Sequence, residues 1–107
     1  MKLDSKILNK LMNSDIIKSV YPMTDRIETE VKDDGDIDYP LYTIIVKIFL
    51  NDETITSDNM YQKGMDPHYL VDFYMVDLLK FVSITTRDIE QVYINVYNTK
   101  EERIYPS

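Results

Sequence analysis

A single histidine, His68, is the only imidazole this chain offers for proton transfer, so any catalytic triad would have to be built around it. It follows Asp66-Pro67, at the second position of an expected helix. A protonated ring there would face the positive end of the helix dipole, so a neutral ring in a structural or interface role is expected. One histidine and no cysteine exclude a two-histidine metal site, thiol catalysis, cysteine-based zinc sites and disulfides. Asp33, Asp34, Asp36 and Asp38 form an acidic loop that resembles a calcium site in composition only. A calcium-loop register starting at Asp34 puts Tyr39 where glycine is required and Ile45 where glutamate is required, so a solvated turn is expected. Asp72 and Asp77 are five apart, too far round a helix to form a tight acid/base pair, and Glu28 and Glu30 point the same way off a strand. Two glycines are too few for a phosphate-cradling loop. No catalytic residue, metal or cofactor is expected, and the chain reads as a non-enzyme.

Aromatic residues suggest different chemistry. Tyr93 and Tyr97 alternate with Val92, Ile94 and Val96, which puts both tyrosines on one strand face, where they could stack unpaired bases. A formal charge of −7 opposes that use, since phosphate backbones attract clustered Lys and Arg and only Lys47 is expected on the same face. Core packing under a covering segment, or a protein interface, is the expected role of these tyrosines.

The elements that position these residues follow from periodicity. Asp4 or Ser5 can cap a helix whose apolar residues Ile7, Leu8, Leu11, Met12, Ile16, Ile17 and Val20 recur at threes and fours. Asn13-Ser14-Asp15 is the point where it could divide in two, and Pro22 ends it. Arg26 to Val31 alternates as a half-solvated strand, and Asp34-Gly35 has the composition of a turn with positive φ. From Leu41 to Leu50 every even position is apolar, which marks the core face of a central strand. Thr56 or Ser57 can cap a short helical turn that Gly64 closes. Asp66 and Pro67 then open a helix running to Val82, the expected stability centre, with Leu70, Val71, Tyr74, Met75, Leu78, Leu79, Phe81 and Val82 on its buried half. Phe73 and Val76 fall instead on the polar half with His68, Asp72, Asp77 and Lys80, the pattern of an interface centre with a polar rim. Gln91 to Asn98 reads as a third strand, and Arg103-Ile104-Tyr105 could add a short edge strand.

The order α-β-β-(short α)-α-β predicts a single α+β domain over residues 1–107, a three-stranded sheet packed by two helices. In element order the chain resembles the type II KH domain, an RNA-binding fold. That family clamps the RNA backbone with a GxxG loop between its central helices, where this chain has Gly64-Met65-Asp66-Pro67, with proline in place of the second glycine.

Nine Tyr, three Phe and six Met, several assigned to faces that a 107-residue monomer struggles to bury, point to protein-protein interaction. The expected role is a small subunit of a larger protein assembly, bound to another protein or to further copies of itself, with Phe73, Val76, His68, Tyr93 and Tyr97 as interface candidates. Nucleic acid, membrane and small-molecule substrates are not expected as partners. Alanine and tryptophan are absent and only three arginines occur, while Ile, Asn, Lys, Asp and Tyr abound, so the gene is expected in an AT-rich genome. A phage structural or virion-assembly component fits that background. The alternatives are an acidic host-directed inhibitor imitating nucleic acid, with Asp33, Asp34, Asp36, Asp38, Glu28 and Glu30 as phosphate-like charge, and RNA binding through the KH-like shape. The start Met1 to Lys6 lacks an apolar leader pattern and no apolar run reaches the roughly 18 residues of a membrane span, so a cytoplasmic or virion location is expected.

Overall fold

The computed structural model describes residues 3–73 and 86–107. Asp4 is the cap of the first helix, its Oδ1 accepting the Ile7 amide at 2.8 Å, and α1 runs Ser5–Met12. The chain breaks at Asn13-Ser14, and α2 covers Asp15–Val20. Leu8, Met12 and Ile17 carry the apolar row into the core.

Strand β1, Thr24–Asp33, pairs antiparallel with β2, Tyr42–Leu50, placing Ile27 opposite Ile48 and Val31 opposite Ile44. The even face of β2 is the centre of the core: Tyr42, Ile44, Val46, Ile48 and Leu50 are all buried. Each such aliphatic side chain removed from water contributes roughly 1.5–3 kcal/mol, which makes this strand the main hydrophobic investment of the described fold. In the acidic loop between the strands Gly35 does not have the positive φ its Asp-Gly context predicts. Glycine is required there for room, because a Cβ would meet the Tyr39 carbonyl and lie 2.6 Å from the Leu41 nitrogen.

The crossover from β2 passes through consecutive turns, not the short helix expected, because the bonds around residues 56–64 mix spacings of three and four. It ends in a Schellman arrangement: Gly64 has φ +81°, its amide reaches the Tyr61 carbonyl, and the Met65 amide reaches that of Met60. Asp66 then caps the next helix through the His68 and Tyr69 amides at 3.0 and 3.2 Å. Residues 67–73 are helical, with Leu70 and Val71 in the core. The expected continuation to Val82, including Tyr74, Met75, Val76, Asp77, Leu78, Leu79, Lys80 and Phe81, lies outside the described residues.

A turn of 3₁₀ helix at Thr86–Asp88 leads into β3, Ile89–Tyr97, which pairs with β2 in parallel, and β4, Arg103–Tyr105, returns antiparallel on β3. Among the described residues the sheet therefore has four strands in the order β1-β2-β3-β4, not three, because the Arg103-Ile104-Tyr105 segment does form a ladder. The result is a small single-domain α+β fold in which α1, α2 and helical residues 67–73 supply the apolar side chains that meet one face of a mixed sheet.

Candidate interaction surfaces

The two long edges of this sheet are treated differently. Along the outer edge of β1, the Ile27 amide donates to Asn13 Oδ1 (3.0 Å), the Thr29 amide to Asn9 Oδ1 (2.6 Å) and the Val31 amide to Ser5 Oγ (2.9 Å). Asn13 Nδ2 also donates to the Ile27 carbonyl at 2.8 Å, so its amide group pairs as a neighbouring strand would, and the Thr29 hydroxyl donates to Asn9 Oδ1 at 2.7 Å. The match is geometric: four helical residues rise about 6.0 Å and two strand residues about 6.6 Å, so a polar row at i, i+4, i+8 keeps pace with alternate strand amides. This row seals the edge against pairing with another chain. The residues were visible as a row of polar positions beside the Leu8-Met12 stripe; their partner strand was not.

Among the described residues the opposite edge is covered only at its end. β4 reaches Val96 and Tyr97 alone, and Pro106, which has no N–H to donate, follows at once. Among the described residues no strand pairs with the β3 edge from Ile89 to Asn95. Ile89, Val92 and Ile94 are only half-buried there, whereas Ile44 and Val46 on β2 are fully buried.

On the face of the sheet away from the core, cross-strand register sets the neighbours. Tyr97 stacks on Phe49, ring centroids 4.9 Å apart and planes nearly parallel, and the Arg26 guanidinium sits 3.8 Å from the Phe49 centroid. Arg26 is held by Glu101 at 2.8 Å and Glu28 at 3.2 Å, bonds that raise its pKa further. Tyr97 is thus locked in a stack, while Tyr93, opposite Ile45, stays 52% exposed. The sequence indicated the shared face of the two tyrosines; Phe49 and Arg26 were missed, since only the register brings them together.

His68 and Phe73 lie on the helical layer instead. His68 Nε2 meets the Tyr105 hydroxyl at 2.5 Å, with the rings edge-to-face, tying the helix start to β4. Burial, then the neighbouring Tyr61 hydroxyl that shares a hydrogen bond with it, and Asp66 push the Tyr105 phenol above its ordinary value. Tyr21 is raised likewise, first by burial and then by Tyr69 and Asp66, and its buried hydroxyl has no hydrogen-bond partner among the described residues. Tyr69 and Phe73, four apart on the helix, are 62% and 39% exposed, and Ile16 and Val20 are exposed at the same spacing on α2. Val76 lies outside the described residues. The structure therefore divides the candidates: Tyr93 and Tyr97 on the outer sheet face, His68 and Phe73 on the helical side.

In the acidic loop Asp33 Oδ1 accepts the Gly35 and Leu41 amides and Asp36 Oδ1 those of Asp38 and Tyr39. These carboxylates hold the loop's own backbone. Among the described residues no group of three or more His, Asp or Glu is arranged to hold a metal ion, and no helix is long and apolar enough to cross a membrane. Comparison with protein-family models, with curated proteins and with solved structures returns no match.

Proposed function

We propose that this protein is a non-enzymatic interaction domain, a small subunit of a larger protein assembly. The observation that carries the reading is the exposed pair Tyr69 and Phe73, side by side on a helix whose other side, through Leu70 and Val71, is buried in the core. Large apolar side chains left in water next to a polar rim of His68 and Asp72 are what a buried interface centre needs. A phage structural or virion-assembly component, located in the cytoplasm or the virion, is the most specific form of the proposal and rests on the AT-rich coding alone.

Imitation of nucleic acid is supported less well. A mimic needs a contiguous acidic stripe, and on the outer sheet face Glu28 and Glu30 are flanked by Arg26 and Lys32 and stand beside Lys47. RNA binding through a KH-like shape is supported least: the expected short helix is a run of turns, a fourth strand joins the sheet, and Asp66 and Pro67 occupy the place of the GxxG clamp.

Phe73→Asp tests the proposal in a comparison of baits carried through native lysate. A protein retained by the wild type and lost by the variant, with the monomer's thermal midpoint shifted by less than about 2 °C, supports it. An unchanged set of bound proteins, or a large loss of monomer stability, contradicts it.

A further inference from the structure

We draw no further inference here: the strongest candidate, the outer edge of β3 from Ile89 to Asn95, is bounded by β4 beside Val96 and Tyr97, and nothing among the described residues shows what covers the rest of it.

Discussion

The two long edges of one sheet differ in what the sequence supplies to them. Along β1, Ser5, Asn9 and Asn13 deliver side-chain oxygens to three successive outward amides. Along β3 nothing among the described residues pairs with the stretch from Ile89 to Asn95 apart from β2. An unpaired row of backbone groups is tolerable in water, but it is also a template for another strand. Three polar side chains close one edge, and among the described residues none closes the other, where Val92 and Ile94 are half-buried.

The largest effects should come from opening the sealed edge. Asn13→Ala removes both contacts to the Ile27 backbone and Asn9→Ala removes both to Thr29, and each should destabilise the fold by about 1–3 kcal/mol in denaturant melts, the range for stranding a buried backbone partner. Ser5→Ala removes a single bond to the half-buried Val31 amide and should cost less, on the order of 0.5–1.5 kcal/mol. The Asn9→Ala, Asn13→Ala double variant, with the β1 edge opened, should also self-associate at high concentration. Double-variant stability equal to the wild type's would show that the ladder seals nothing.

A smaller effect sharpens the contrast from the side of a polar group with no partner. Tyr21→Phe deletes a buried hydroxyl that makes no bond among the described residues, so it should stabilise the protein by roughly 1 kcal/mol at neutral pH. The same variant should flatten the alkaline limb. The folded Tyr21 phenol titrates above its ordinary value of 10.0, so the unfolded chain gives up its proton first. The stability this represents is complete below about pH 10 and is lost as pH rises through the folded value, with Tyr105 adding in the same direction. Superimposable pH-stability curves for variant and wild type would contradict it.

Local features of this fold were legible in the sequence. The alternation in β2, the capping by Asp66 ahead of Pro67, the left-handed Gly64 and the break at Asn13-Ser14 each depend on residues within a turn or two of one another. Features set by register were not. Asn9 and Thr29 are 20 residues apart and His68 and Tyr105 are 37 apart, and neither spacing carries a periodic signal. The parallel pairing of β2 with β3 stacks Phe49 on Tyr97 and leaves Tyr93 exposed, a division that strand alternation cannot make because it assigns both tyrosines the same face. Gly35 is instructive in another way: its Asp-Gly context indicated a turn, but crowding by Tyr39 and Leu41, not φ, is what requires glycine.

Amide hydrogen exchange on the unmodified chain tests the difference between the edges most directly, because exchange reports hydrogen bonding strand by strand. The Ile27, Thr29 and Val31 amides should be protected, while the alternate amides of residues 91–95 that face away from β2 exchange fast. Equal protection of both edges would contradict the account, since it would mean that β3 is covered as β1 is.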